Sequence, residues 1–136
     1  YDYLKDRYEQ SEITIYGRSL GTGIATYIAS RNQPKQLILE TPYYSMVDVA
    51  KTRFPIVPVK QLMRYELPSH KYIKQVKCPI TMFHGTEDKV IPLESAEKLY
   101  RSLSNDKVTF TVIEGGNHND LVNFEAYHRI IDMVLN

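Results

Sequence analysis

The sequence predicts an α/β fold, with one parallel sheet of about four strands and helices that connect them. Short runs rich in β-branched and aliphatic residues alternate with longer runs whose apolar residues recur at helical spacing. Two strand runs, LILE and ITMF, are almost continuously apolar, as is typical of strands buried on both faces of a parallel sheet. Polar residues that can carry chemistry follow the strands at their C-terminal ends, where α/β sheets place their sites. The predicted strands lie at about 12–16, 36–40, 79–84 and 107–113.

The first predicted strand leads into a turn that presents a serine. The segment ITIYGRSLGTG, Ile13–Gly23, contains the pattern G-x-S-x-G between a β-branched strand and a helix-forming run. At such a sharp turn, the positions two before and two after the serine are expected to lie against neighbouring backbone, which would explain Gly17 and Gly21. The turn exposes the serine hydroxyl at the top of the sheet, so Ser19 is a candidate nucleophile.

A dinucleotide-binding turn is the alternative interpretation of this segment. With Gly23, the glycines also fit G-x-x-x-G-x-G, and Glu40 closes the next strand where a ribose-binding acid would lie. A reductase of that kind is expected to carry a later Tyr-x-x-x-Lys pair, but the only such pair, Tyr1 and Lys5, precedes the glycines. A serine hydrolase instead requires an acid and then a histidine, on loops after later strands.

The chain provides that acid and that histidine, in that order. Asp88 follows the third predicted strand, in PITMFHGTEDKVIP, before a helix that starts near Pro92. His118 follows the fourth strand, in KVTFTVIEGGNHND, after the Gly-Gly step that ends it. The order Ser19, Asp88, His118 is that of α/β-hydrolases and differs from the orders in chymotrypsin-like and subtilisin-like proteases.

Other polar residues near these positions have alternative interpretations. Glu40, after the second strand, is the reserve candidate for the acid, because some hydrolases place it there. Asp120 is expected to cap the last helix. His84, at the end of a strand, is expected to hydrogen-bond to nearby backbone. His70 is expected on the surface of the lid, and His128 on the surface of the last helix.

These motifs resemble those of a known family. The sequence is similar to the C-terminal half of an ABHD-type α/β-hydrolase with a small lid, whose signatures GxSLG, HGxxDxxVP and GxxH stand here as GRSLG, HGTEDKVIP and GGNH. The resemblance implies that Ser19 attacks an acyl carbonyl while His118 transfers the proton. It implies that Asp88 fixes the imidazole tautomer and that the backbone N–H of Leu20 is one oxyanion donor.

The beginning of the sequence resembles a helix that precedes the serine turn in this family. Tyr1, Leu4 and Tyr8 fall on one helical face, whereas family members carry several further strands and a second oxyanion loop before this point. We therefore expect residues 1–136 to form a single, truncated hydrolase domain. Weak or no activity is expected from it alone, since loss of one oxyanion donor typically costs about 100- to 1000-fold in turnover.

Three segments have helical periodicity. Small apolar residues at 20–30 predict a helix packed under the serine turn. Two later segments repeat larger apolar residues: Leu93, Ala96, Leu99 and Leu103, then Phe124, Tyr127, Ile131 and Val134.

Between the second and third strands, about residues 41–76, the sequence predicts a small helical lid. Prolines divide this insert into short pieces, which carry the apolar residues Met46, Val49, Phe54, Val57, Leu62 and Met63. These side chains either line an acyl pocket over the sheet or pack the lid onto it. The first role would favour esters or thioesters as substrates.

Composition limits the partners. The 17 basic and 16 acidic residues give a net charge of +1 without a block of like charge, so binding to nucleic acid or an anionic membrane is not indicated. Cys78 is the only cysteine and cannot form an internal disulfide, which favours a cytoplasmic location. No His or Cys spacing is typical of a metal site, and no cofactor is expected.

The sequence thus predicts a serine hydrolase that cleaves an acyl ester, thioester or amide through an acyl-enzyme. Two alternatives stay open. A peptidase of the prolyl-oligopeptidase type would use the same triad, and an inactive hydrolase-fold interaction module would keep the motifs without turnover. The order and context of all three residues favour the enzyme.

Overall fold

The computed structural model describes residues 1–58, 61, 65–103 and 107–135, and its centre is a parallel sheet of four strands. The strands are β1 (Thr14–Arg18), β2 (Gln36–Glu40), β3 (Ile80–Gly85) and β4 (Val108–Ile113), paired in that order. Their positions and parallel pairing confirm the predicted α/β architecture. The largest shift is at β1, which starts and ends two residues later than predicted.

Helices occupy the connections between the strands. The α-helices with described bounds are α1 (Asp2–Lys5), α2 (Gly21–Ser30), α3 (Met46–Arg53), α4 (Ser69–Tyr72), α5 (Leu93–Arg101) and α6 (Glu125–Leu135). Short 3-10 helices lie at Gln10–Glu12, Ile73–Gln75 and Leu121–Asn123. Helix α5 begins directly after Pro92, as predicted. Helix α1 ends earlier than the opening periodicity suggests, so Tyr8 lies beyond it and is exposed.

Both faces of the sheet are covered, which explains the apolar strands. On one face α2 and α5 pack on Leu37, Leu39 and Met82, and on the other α6 packs on Ile38 and Phe83. Four of the five residues of β2 and all six of β3 are buried. The central strands β2 and β3 are therefore buried almost throughout, whereas the edge strands β1 and β4 include exposed residues.

The insert between β2 and β3 carries α3 and α4 and is uneven in burial. Val49 is buried and Met46 packs beside it, whereas Phe54 is 59% and Val57 42% exposed. Two other apolar residues of the predicted lid, Leu62 and Met63, lie outside the described residues. Some of the insert therefore packs onto the domain, and some faces outward.

Along the described ranges, no helix combines the length and the apolar character needed to cross a membrane.

Candidate active site

The turn between β1 and α2 holds Ser19 in a left-handed backbone conformation. Its φ is 52°, in a region that a non-glycine residue enters at a cost of about 1–3 kcal/mol. The Ser19 N–H donates to the carbonyl of Glu40 at 3.0 Å. The Ser19 carbonyl accepts from the N–H and the hydroxyl of Thr22, at 2.9 and 2.7 Å. These three hydrogen bonds stabilise the strained turn at the end of β1.

Glycine is required at one side of this turn and not at the other. A Cβ on Gly17 would lie 2.6 Å from the Cβ of Ala25 and 2.9 Å from the carbonyl oxygen of Gly21, because α2 crosses closely over β1. A Cβ on Gly21 would meet nothing within 4 Å. The expectation that Gly21 lies against neighbouring backbone is therefore wrong. The second close approach is at Gly23, where a Cβ would overlap the Tyr43 hydroxyl.

The structure brings together the three side chains that the sequence singled out. The Oγ of Ser19 lies 2.9 Å from Nε2 of His118, and Nδ1 of His118 lies 2.7 Å from Oδ2 of Asp88. The Asp88 and His118 residues are buried, and Ser19 is half-buried. One hydrogen-bonded chain thus joins loops that follow β1, β3 and β4.

Asp88 is held by several N–H donors. One oxygen accepts from the backbone N–H groups of Val90 and Ile91 at 2.8 and 2.9 Å, and the other faces His118 and, at 3.3 Å, Nε2 of His84. Burial raises the pKa of Asp88, but the bonds from the two histidines and the two backbone groups outweigh burial and lower it to about 2. Asp88 is therefore ionised at neutral pH.

An ionised Asp88 determines which nitrogen of His118 carries the proton. A carboxylate can only accept hydrogen bonds, so Nδ1 of His118 must donate to it. Nε2 then presents its lone pair to the hydroxyl of Ser19, which donates. This is the tautomer in which an imidazole can take a proton from a serine.

His84 is fully buried beneath Asp88. Its Nε2 faces two acceptors, the carbonyl of Ile91 at 2.9 Å and the carboxylate of Asp88, so Nε2 carries the proton. Its Nδ1 has no hydrogen-bond partner among the described residues. The expected local bond to backbone is confirmed. The contact with Asp88 was missed, because a spacing of four residues brings side chains together on a helix, whereas this segment is a strand end and a loop.

The loops that carry Asp88 and His118 interlock. We call the three loops at residues 19–20, 85–91 and 115–120 the serine corner. The Glu87 N–H donates to the carbonyl of Gly116 at 2.9 Å, and the N–H of Gly115 donates to the Thr86 hydroxyl at 2.8 Å. A Cβ on Gly85 would overlap the carbonyl of Gly116. The two loops are therefore packed closely and hydrogen-bonded to each other.

Asp120 stabilises the loop around His118 rather than a helix. Its carboxylate accepts from the backbone N–H of Asn117 at 2.6 Å and from the Asn117 side-chain amide at 3.2 Å. It makes no capping bond to the 3-10 helix that follows, and α6 begins only at Glu125. The expectation that Asp120 caps the last helix is wrong, because the chain first turns back through the 3-10 segment.

The backbone of Leu20 is positioned at the start of α2. Its N–H donates to no acceptor within the described part of the chain, and its carbonyl accepts from the hydroxyl of Tyr43 at 3.1 Å. Tyr43 is fully buried, which raises its pKa to about 12 and keeps the hydroxyl protonated. From the sequence, Tyr43 is expected to pack in the core or to border the substrate site, and its hydrogen bond to the Leu20 carbonyl was missed. Its position just after the end of β2 was the available signal.

Glu40 does not occupy the place of the acid. Its carboxylate accepts from Nε of Arg18 at 3.0 Å and from the hydroxyl of Tyr16, and it makes no hydrogen bond to the His118 ring. Asp88 therefore has the geometry of the acid partner, and the reserve candidate does not.

Metal ligands do not converge in the described ranges, where no group of three His, Cys, Asp or Glu side chains could hold an ion.

Comparison with known proteins places the chain in a family. The chain is 30% identical over 149 aligned positions to the lysophosphatidylserine lipase ABHD12 of Xenopus tropicalis, covering 89% of this chain and 36% of the lipase. It spans half or less of the length of such curated relatives.

Solved structures share the fold. An acylaminoacyl peptidase of Pyrococcus horikoshii superposes with a TM-score of 0.72 at 20% identity, over 94% of this chain and 23% of the peptidase. A monoacylglycerol lipase of Paleococcus ferrophilus gives 0.70 at 17% identity, over 98% of this chain and 71% of the lipase. The family model of the alpha/beta hydrolase domain matches residues 2–126, and the chain therefore belongs to the α/β-hydrolase family.

Proposed function

We propose that this chain carries the catalytic triad of a serine hydrolase that cleaves an acyl ester, with thioesters and amides as related substrates. The observation that carries the proposal is the hydrogen-bonded chain from Ser19 through His118 to Asp88, with contacts of 2.9 and 2.7 Å. An ionised Asp88 can only accept hydrogen bonds, so His118 donates to it from Nδ1, and this orientation supports the role of His118 as the base.

The reaction proceeds in two acyl transfers. The Ser19 oxygen attacks the carbonyl carbon while Nε2 of His118 takes its proton, and the Leu20 N–H donates to the oxyanion that forms. Asp88 stabilises the resulting imidazolium. The tetrahedral intermediate collapses as His118 returns the proton to the leaving oxygen, sulfur or nitrogen. Water then attacks the acyl-enzyme, with His118 again as the base, and releases the acid and free Ser19.

Acyl esters are the first substrates to test. The relative from Xenopus tropicalis is named a lysophosphatidylserine lipase, which supports ester chemistry. The guanidinium of Arg53, at the end of α3, donates to the carbonyl of Val90 at 3.1 Å, so the insert reaches the loop of Asp88. The exposed side chains of Phe54 and Ile56 follow directly and offer apolar surface to an acyl chain. The acylaminoacyl peptidase supports the peptidase alternative only through the shared fold.

A fluorophosphonate probe, read by intact mass, tests the triad. We expect one adduct on the purified chain, none on Ser19→Ala, and labelling reduced at least 100-fold in rate on His118→Ala, because the serine loses its base. Ser11→Ala is the matched control and should label normally. Ser11 is exposed and lies in the 3-10 helix before β1, whereas Ser19 follows the other end of that strand. A folded chain that gives no adduct, or an adduct that survives Ser19→Ala, would contradict the proposal.

A substrate panel then separates the classes. Acyl esters of increasing chain length, an acyl thioester and an acylated peptide are compared by kcat/KM. We expect the ester to react fastest. Turnover of the acylated peptide alone would favour the peptidase. Labelling of Ser19 without turnover of any substrate is the result expected both of residues 1–136 alone and of the inactive interaction module, and the same panel on a chain of the length of the curated relatives separates the two.

A further inference from the structure

Arg18, the residue directly before Ser19, links the strand of the serine to the loop of the histidine. Its Nη2 donates to the backbone carbonyl of His118 at 2.8 Å and to Oδ1 of Asn119 at 2.9 Å. Its Nε donates to Glu40 at 3.0 Å. One side chain thus connects positions one hundred residues apart in sequence.

The sheet places this group of side chains together. Arg18 and Glu40 are register partners on the adjacent parallel strands β1 and β2. Tyr16 lies two residues before Arg18 on the same face of β1 and donates its hydroxyl to the other oxygen of Glu40. The guanidinium is therefore fixed on one side by a carboxylate whose two oxygens are both occupied.

This pair differs from an ordinary surface ion pair. The Glu40 side chain is only 6% exposed and the Arg18 side chain 43%, so water screens this pair less than a pair in which both side chains are exposed. The planar guanidinium also donates in two directions at once, to Glu40 through Nε and to the His118 loop through Nη2. A lysine ammonium at the same place lacks that forked geometry.

Glu40 acts on both partners of the proton transfer. Its backbone carbonyl accepts from the N–H of Ser19, and its carboxylate orients the arginine that holds the carbonyl of His118. The Oγ–Nε2 contact of 2.9 Å depends on the relative position of these two loops. A displacement of about 1 Å at a reacting group can lower a rate on the order of 100-fold.

We propose that Arg18 and Glu40 are positioning residues that hold His118 in register with Ser19. The inference rests on the proposed function for its effect on rate. The position of the His118 ring, however, does not depend on turnover and is measured separately. The hydrogen bonds of Arg18 and Glu40 fix the position of the His118 loop, whereas Ser19, His118 and Asp88 carry out the proton transfer and the acyl transfer.

The test uses Arg18→Gln, Arg18→Lys and Glu40→Gln with two readouts. The first is the rate of fluorophosphonate labelling of Ser19. We expect Arg18→Gln and Glu40→Gln to lower it about 10- to 100-fold, with only partial recovery in Arg18→Lys. The second readout is the ¹⁵N spectrum of the histidine rings. In the parent chain His118 should show one tautomer protonated on Nδ1, and in Arg18→Gln its Nε2 shift should move, because the hydrogen bond from the Ser19 hydroxyl weakens.

Arg101→Gln is the matched control, because Arg101 is an exposed arginine paired with Glu97 on α5, and both readouts should stay at parent values. Unchanged labelling together with unchanged His118 shifts in Arg18→Gln would overturn the proposal. If the parent chain does not label but the His118 shifts move as expected, positioning holds and the proposed function fails. If Arg18→Gln does not fold, Glu40→Gln and Arg18→Lys decide by the same two readouts.

Discussion

The serine corner and the insert between β2 and β3 differ in how their side chains are held. In the serine corner Asp88 and His118 are each 8% exposed, and hydrogen bonds tie their loops to each other and to β1. In the insert Phe54 is 59% and Ile56 96% exposed, and the surrounding helices are short. The domain thus holds Ser19, His118 and Asp88 at the end of the sheet, and the insert, which contacts the Asp88 loop through Arg53, carries exposed apolar side chains. Substitutions in the two regions should therefore change different quantities.

The largest loss of activity is expected from a substitution of Asp88. Asp88→Asn should lower kcat, or the labelling rate of Ser19, on the order of 10⁴-fold, because an amide at this place favours the wrong tautomer of His118. Stopped-flow or intact-mass kinetics measure the effect, with circular dichroism as the control for folding. A smaller loss than that of Glu40→Gln would show that the wrong carboxylate has been assigned.

The next largest effect is a loss of stability when the close backbone packing beside Ser19 is disturbed. Gly17→Ala should lower the free energy of unfolding by about 1–3 kcal/mol, since its Cβ would lie 2.6 Å from Ala25 and 2.9 Å from the carbonyl of Gly21. Gly21→Ala is the matched control, and its stability should change by less than about 0.5 kcal/mol because its Cβ meets open space. Urea denaturation of both variants decides. Equal losses at the two glycines would contradict the packing found at this turn.

The depressed pKa of Asp88 predicts a loss of stability in acid. Its pKa falls from 3.8 to about 2 on folding, so the ionised form stabilises the folded state by about 2 kcal/mol above the unfolded pKa. This contribution is full above about pH 5 and is lost as the pH falls toward 2. Urea midpoints from pH 7 to pH 3 measure it. Asp88→Asn lacks the group, so the parent should lose more stability than this variant over that range, and parallel profiles would refute the assignment.

The smallest effects are expected in the outward part of the insert. Ile56→Ser should leave the free energy of unfolding within about 0.5 kcal/mol, because the side chain is already 96% exposed. The same variant should lower kcat/KM about three- to tenfold for long acyl esters and leave short ones unchanged. Val49→Ala is the opposite case, since Val49 is buried, and it should lower stability by about 1–3 kcal/mol. A loss in Ile56→Ser that is equal for short and long esters would exclude a role in acyl-chain binding.

Much of the fold followed from the sequence because its signals are local. The apolar runs of β2 and β3 predicted central parallel strands, and Pro92 marked the start of α5. The helix predicted around Tyr8 ended early because a short segment with one apolar face forms only where tertiary packing supports it. Periodicity finds the elements, and packing decides their ends.

The candidate site was likewise predictable from the sequence only where its signals are local. Ser19, Asp88 and His118 could be found because each follows a strand in a recognisable turn, and because they stand in the chain order of α/β-hydrolases. The geometry that joins them, and the fact that Gly23 rather than Gly21 makes the second close approach, could not be read from spacing. Asp120 was misassigned because a capping residue and a loop-bracing residue have the same local sequence.

By itself the sequence determined the parallel sheet, the order of the three polar residues and the turn that exposes Ser19, because periodicity, strand ends and glycine are encoded over a few neighbouring positions. Only the tertiary structure decided that Asp88 rather than Glu40 meets His118, that His84 lies beneath the carboxylate, and that Arg18 reaches the His118 loop. Those contacts join strands and loops distant in the chain. Their existence depends on sheet register and close packing, which no local pattern of residues specifies.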